Sequence, residues 1–219
     1  MSIVTSEGGL TVFGYGLCAA AVILFLGTAS FWHSASSHSR KLSTKQLVFC
    51  AAAMALSFLT SYMKIFAFPY GGSVTLFSML FICLIGYWYG PLPGLMTGLA
   101  YGILQFLQEP YVLSFFQVCC DYVLAFAGLG LAGFFYKSKN GLIKGYLLGI
   151  LIRGAFHSLG GYLYWMDYMP ENFPQSLATF YPIIYNYSYI LAEGVLTVIV
   201  ISLPPVSKAL TQVKRLAVS

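Results

Sequence analysis

Apolar runs of membrane-crossing length recur along the whole chain, separated by short breaks rich in Gly, Pro and charge. The pattern predicts spans at about 9–32, 46–63, 74–89, 92–108 and 111–136. A further span follows Lys144 through Arg153 to Trp165, and a last one runs from Pro182 to the Pro204-Pro205 pair. The breaks themselves are informative. Pro69 with Gly71-Gly72 predicts a loop in KIFAFPYGGS after the 46–63 span, read as a connector with a lid as the alternative. GPLPG makes a helical hairpin of the 74–89 and 92–108 spans, and Gly94, Gly98 and Gly102, four residues apart, permit close helix contact. The first run, 9–32, lacks the basic n-region of a signal peptide and reads as an anchor helix; a cleavable signal is the alternative, since the small polar run SASSHS follows.

Composition narrows the class. Of 219 residues, 59% are hydrophobic and 8% charged, and the mean hydropathy is +0.80, so the chain is an integral membrane protein with no soluble domain to carry separate chemistry. The net charge of +5 does not signal nucleic acid, because the basic residues fall in loops beside apolar segments, where they act as topology signals. Arg40, Lys41, Lys45, Lys137, Lys139, Lys144, Lys208, Lys214 and Arg215 all fall on one side of the predicted fold, with Lys64 at the opposite loop and Arg153 within a span. Glu109, Asp167 and Glu171 mark the other side. This ledger predicts a multi-pass cell-membrane protein: a core of six spans with both ends cytoplasmic, preceded by one extra helix. The five cysteines lie in apolar runs without metal-ligand spacing and read as small buried hydrophobes.

Candidate chemistry centres on RGAFHSLGGYLYW. Arg153, His157, Gly161 and Trp165 repeat every four residues and so share one slowly drifting helix face. Ionisable groups at membrane depth cost about 3 kcal/mol or more unless they face protein or water, which makes this stripe a candidate pocket wall. Gly161 would let a flat ligand approach the backbone. Asp121, the first carboxylate deep in a span, shares a face with Gln117 and needs a partner, either Arg153 or a cationic ligand. Tyr122 follows it. Tyr181 stands at the entrance to the last span, where Asn186, Tyr189 and Glu193 share a face. Aromatic faces with one carboxylate suit a flat cation, and the Asn186 amide suits an aminopyrimidine-like edge. Tyr101, between two of the spaced glycines, reads as packing or as cavity lining.

Enzymatic roles find little support. Asp121 is the only Asp within a span, whereas an aspartyl dyad needs two; Ser158 neighbours His157 and points away from it; and one buried His makes no metal site. Small residues at Ala51 and Ala55 mark a face that another helix can approach, within the bundle or from a partner.

Four stretches together carry a resemblance: GGSVTL at 71–76, QVCCDYVLAFAGLGLAG at 117–133, FHSLGGYLYW from Phe156, and YPIIYNYSY from Tyr181. From about Lys45 onward the chain resembles the thiamine-specific S components, the ThiT family, of energy-coupling factor (ECF) vitamin transporters. The resemblance implies an all-α six-helix S-component bundle over 45–219, with residues 1–44 as an additional N-terminal transmembrane helix and basic loop outside it. It implies thiamine binding near the outer surface, beneath the loop joining the first two bundle helices. It also implies association with an ECF transmembrane coupling protein and two ECF ATPases, which hydrolyse the ATP, and inward delivery by toppling of the S component. No cofactor or metal is implied, and no nucleotide motif occurs here.

By the same resemblance, Asp121 stands where a glutamate usually faces the thiamine cation, followed by Tyr122. His157, Gly161 and Trp165 match the helix that contacts the ligand, Tyr181 and Asn186 the pair near its pyrimidine, and Tyr101 an aromatic lining the pocket. Arg153 replaces a basic residue, commonly lysine, near the hydroxyethyl or phosphate end; its planar fork raises the prospect of thiamine phosphates as ligands. Ala51 and Ala55 become the expected docking face.

Overall fold

The computed structural model describes residues 42–69 and 71–219, together with 11–13 and 16. Most of the predicted span at 9–32 and of the basic loop after it lies outside the described residues. The bundle opens with α1, Thr44–Ser61, whose start is set by a capping box: Ser43 Oγ accepts from the Gln46 amide while the Gln46 side chain accepts from the Ser43 amide. Helices α2 (Ser78–Tyr89) and α3 (Pro91–Gln108) form the predicted hairpin. Then come α4 (Phe115–Phe135), α5 (Gly141–Tyr164) and α6 (Tyr181–Ser202). A final amphipathic helix, α7 (Pro204–Val218), lies beyond the bundle helices, where the sequence pattern ends the last span and predicts no further element.

The predicted loop after α1 is more ordered than expected. It is an antiparallel hairpin of β1 (Lys64–Ala67) and β2 (Ser73–Thr75), closed by the Phe68 amide donating to the Gly72 carbonyl and by Gly71 at φ 100°. The GGSVTL stretch is therefore strand and turn, and α2 starts four residues later than the hydropathy suggests. At 12 residues, or about 18 Å, α2 is too short to cross a bilayer core alone. Among the described residues, α1, α4, α5 and Gln175–Ser202 are the helices both long and apolar enough to do so. The exit of the strand at Thr75 is held by Glu193, described below.

The predicted glycine seam forms. Gly98 packs on the backbone of Phe126 and Ala127 in α4, where a Cβ would stand 3.0 Å from Ala127 Cα, and Gly94 faces Gly130 in the same way. Cys50, Cys83 and Cys120 are buried and, like the partly buried Cys119, free. The core proper fills the space between α2, α4 and α5 with Ile82, Ile85, Leu129, Tyr146 and Ile150, all essentially inaccessible.

Candidate functional site

The core does not extend to the end of the bundle that carries the hairpin. There a cavity of about 560 Å³ opens between α3, α4, α5, α6 and the hairpin. This is an ordinary size for a small-molecule site.

One wall comes from α5. Arg153, His157, Gly161 and Trp165 all border the cavity, with Trp165 capping the helix as its amide donates to the Gly161 carbonyl over 2.9 Å. Gly161 serves a second purpose that the sequence does not announce. A Cβ there would meet Pro182 Cβ at 3.0 Å and Asn186 Nδ2 at 3.1 Å, so the missing side chain also lets α6 approach α5.

The opposite wall is α4, which is not a uniform α-helix. Cys119–Leu124 forms a π-helical turn, a local widening that occurs often at functional sites, and it carries Asp121 and Tyr122 into the cavity. Asp121 is held at both oxygens. Oδ2 accepts from Gln117 Nε2 at 2.8 Å, and Oδ1 lies 3.2 Å from His157 Nδ1. The carboxylate rests against α5 where Gly160 has no side chain; a Cβ there would stand 2.8 Å from Oδ1.

Of the two partners the sequence offers Asp121, Arg153 is reached only through His157. Arg153 Nε–H donates to His157 Nε2 over 3.3 Å, and since guanidinium can only donate, Nε2 must be an acceptor. The imidazole is then neutral, with its proton on Nδ1 donating to Asp121. The result is an Arg153, His157, Asp121 relay whose charged ends are separated by a neutral ring. The Arg153 guanidinium also lies over the Phe126 ring, 4.4 Å from its centroid.

The third wall is α6. Asn186 is more committed than its amide suggested: Nδ2 donates to the Pro182 carbonyl (2.8 Å) and the His157 carbonyl (3.3 Å), and Oδ1 accepts from Tyr189 (2.7 Å). What remains for a ligand is acceptor capacity on Oδ1. Tyr181 borders the cavity beside Tyr185.

Tyr101 needs correcting as a lining residue. It is fully buried and lies one layer behind the wall, its hydroxyl donating to the Ser57 carbonyl and accepting from Gln105 Nε2, while Gln105 and Phe126 take the lining positions. A tyrosine between helix-contact glycines faces the neighbouring helix too closely to reach the cavity.

Tyr111, Tyr168, Lys64 and Glu109 also border the cavity and escaped the sequence reading as site members. Tyr111 and Tyr168 join Trp165 in an aromatic cluster, with ring centroids 4.8 and 5.1 Å from the indole. Tyr111 lies in a loop and Tyr168 in a short 3-10 turn, both outside α1–α7, where no periodicity marks them among 17 tyrosines. Lys64 and Glu109 pair at 2.6 Å on the rim. Glu193, 2% exposed, accepts at Oε2 from the Thr75 amide (2.8 Å) and hydroxyl (2.6 Å) and at Oε1 from the Met79 amide (3.3 Å), tying α6 to the hairpin's exit into α2. The sequence already groups Glu193 with Asn186 on one face among the candidate polar residues.

The charged side chains bordering the cavity are Lys64, Glu109, Asp121, Arg153 and Glu193, leaving three carboxylates against two cations with His157 neutral. Counted as formal charges, the lining is one positive charge short of balance. Among the described residues no group of three or more His, Cys, Asp or Glu is arranged to hold a metal ion.

Apolar helices enclosing a solute-sized cavity with a carboxylate in excess define a multi-pass membrane protein that binds a small cationic solute. Comparison with known proteins makes this specific. The Thiamine transporter protein family (Thia_YuaJ) matches residues 47–213, so this chain belongs to the thiamine transporter family. It is 30% identical over 175 residues to the thiamine transporter ThiT of Bacillus subtilis (strain 168), covering 71% of this chain and 85% of that protein. Its fold is similar to that of ThiT from Listeria monocytogenes, with a TM-score of 0.58 at 22% identity over 73% of this chain and 94% of that one.

Proposed function

We propose that this chain is the thiamine-binding S component of an ECF transporter, with residues 45–219 as its binding domain. The observation that carries the reading is the relay around Asp121 in a cavity one positive charge short of balance. The thiazolium carries that charge permanently. Asp121 faces it, and the indole of Trp165 with the neighbouring tyrosines supplies the aromatic surface that flat cations favour. The free acceptor capacity of Asn186 takes the pyrimidine amino group, and Arg153 faces the hydroxyethyl or phosphate end.

The shorter Asp121, where the family usually has a glutamate, is supported from below by the π-turn that carries it inward and by Gly160, which leaves room for the carboxylate. ATP hydrolysis belongs to two partner ATPases, acting through a transmembrane coupling protein. Ala51 and Ala55, both exposed on α1, form the docking face. The C-terminus is cytoplasmic by the positive-inside rule. A neutral vitamin precursor, such as the pyrimidine moiety alone, is the competing ligand, and it leaves the excess carboxylate unbalanced.

The test is equilibrium titration of the detergent-purified protein with thiamine, read by quenching of intrinsic fluorescence. Saturable binding is expected, with Asp121→Asn weakening it by roughly a hundredfold or more, the cost of uncoupling a desolvated charge pair. Trp165→Ala is expected to weaken it while also reducing the quenching amplitude. Equal binding by wild type and Asp121→Asn would remove the cation site from the account.

A further inference from the structure

The end of the bundle remote from the cavity carries a second organised surface. Helix α7 packs against α1, α2 and α6 and has three distinct faces. Val206, Leu210, Lys214 and Ala217, spaced by four, four and three residues, turn toward the bundle and are buried or half-buried. Two contacts fix that face: Tyr89 Oη donates to the Ala217 carbonyl at 3.1 Å, and Lys214 Nζ lies 3.7 Å from the Tyr87 ring centroid. Beside it runs an exposed apolar ridge of Ala209, Val213 and Leu216, the last 64% exposed. Beyond that ridge, on the far side from the bundle, run Lys208, Gln212 and Arg215, all exposed.

The order of the faces is the argument. A helix standing free in water has no use for an apolar ridge between its packed face and its basic face. A helix lying in the plane of a bilayer surface does, because the ridge enters the acyl boundary while the basic residues sit level with the headgroups. The surroundings share this charge. Lys45, Lys137, Lys139 and Lys144 are exposed on loops and helix ends at the same end of the bundle, and Lys45 Nζ donates to Ser219 Oγ at 3.0 Å. Among the described residues no acidic side chain lies in the sequence between Tyr122 and Met166 or after Glu193. Clustered cations beside a membrane-spanning bundle, without interleaved carboxylates, are complementary to anionic lipid.

We infer that α7 is an interfacial helix that binds anionic phospholipid headgroups of the adjacent leaflet through Lys208 and Arg215, with Leu216 seated in the acyl boundary. This binding braces α7 against the ends of α1 and α2. It is independent of the ligand in the cavity.

The test uses the full chain in nanodiscs of equal parts phosphatidylcholine and phosphatidylglycerol, extracted into mild detergent, with retained lipids counted by native mass spectrometry. Wild type is expected to keep phosphatidylglycerol over phosphatidylcholine, and Lys208→Gln/Arg215→Gln to lower that preference by on the order of tenfold. The preference should fall with added salt during extraction. Thiamine titration of the double variant serves as the folding control, since neither residue borders the cavity. Leu216→Gln, which keeps both charges, is expected to lower total lipid retention. No headgroup preference in wild type, or an undiminished preference in a well-folded double variant, would overturn the inference. An undiminished preference accompanied by lost association with the coupling protein would overturn it too, and would assign the basic face to a protein partner.

Discussion

At the scale of single residues, the site depends on where the Asp121 carboxylate points. Its two oxygens are set by Gln117 and His157, and its resting place exists because residue 160 is glycine. Gly160→Ala puts a methyl 2.8 Å from Oδ1, and the group that yields is the side-chain end rather than backbone. The fold should therefore survive while the carboxylate moves. We expect thiamine affinity to fall by about tenfold, or about 1.4 kcal/mol, with the melting temperature shifted by no more than a few degrees. Titration and thermal unfolding of the same preparation check this; unchanged affinity would mean that the carboxylate position is immaterial. The rim pair Lys64 and Glu109 is a different case. Its members are 35% and 62% exposed, so Lys64→Gln should cost less than about 1 kcal/mol of stability, again readable by thermal unfolding.

Among the elements, the two that differ most from their sequence pattern are explained by one residue. Glu193 gathers the Thr75 amide and hydroxyl and the Met79 amide, which fixes the exit from β2 and delays the start of α2. The backbone there also carries Phe77 at φ 63°, a left-handed conformation that a bulky residue adopts only when its surroundings impose it. Glu193→Leu leaves those donors buried and unpaired, at about 1–3 kcal/mol each, so loss of several kcal/mol and disorder of the hairpin are expected. Thermal unfolding and amide exchange at Thr75 and Met79 report it. The seam between α3 and α4 is equally direct: Gly98→Leu pushes against the α4 backbone, and a loss of about 1–3 kcal/mol or outright misfolding should follow, seen as a lowered melting temperature.

These elements also show what was legible beforehand. The helix hairpin, its glycine seam and the α5 stripe were readable because hydropathy and four-residue spacing are local signals. The α5 stripe, Asp121 and Tyr122 do meet around one cavity. The β-hairpin was read only as a loop: its turn at Gly71-Gly72 is local, but the anchor that holds its exit, Glu193, lies 118 residues away. The π-turn was not readable, since it has no compositional mark. For Tyr101 the packing alternative holds and the lining role implied by the resemblance does not, since spacing identifies a helix face without saying whether that face meets a cavity or a neighbour. The aromatic cluster of Tyr111 and Tyr168 depends on two loops meeting, which no single stretch encodes.

For the whole molecule, the arrangement is polar in the directional sense: a cavity with excess negative charge at one end, a basic surface at the other, and a face of small residues along α1. The proposed docking role of Ala51 and Ala55 follows from that separation. Ala55→Trp should abolish thiamine uptake in cells that also make the coupling protein and ATPases, while leaving thiamine affinity of the purified protein unchanged. A variant that still transports at the wild-type rate would move the docking face elsewhere.

The central claim is that the cavity selects a permanent cation. The most direct measurement incubates the detergent-purified protein with an equimolar mixture of thiamine and its neutral pyrimidine moiety, removes free solute, and identifies what is retained by mass. The account predicts that thiamine is retained almost alone, and that Asp121→Asn loses it. Retention of the pyrimidine moiety in equal amount, or of thiamine undiminished in Asp121→Asn, would contradict it.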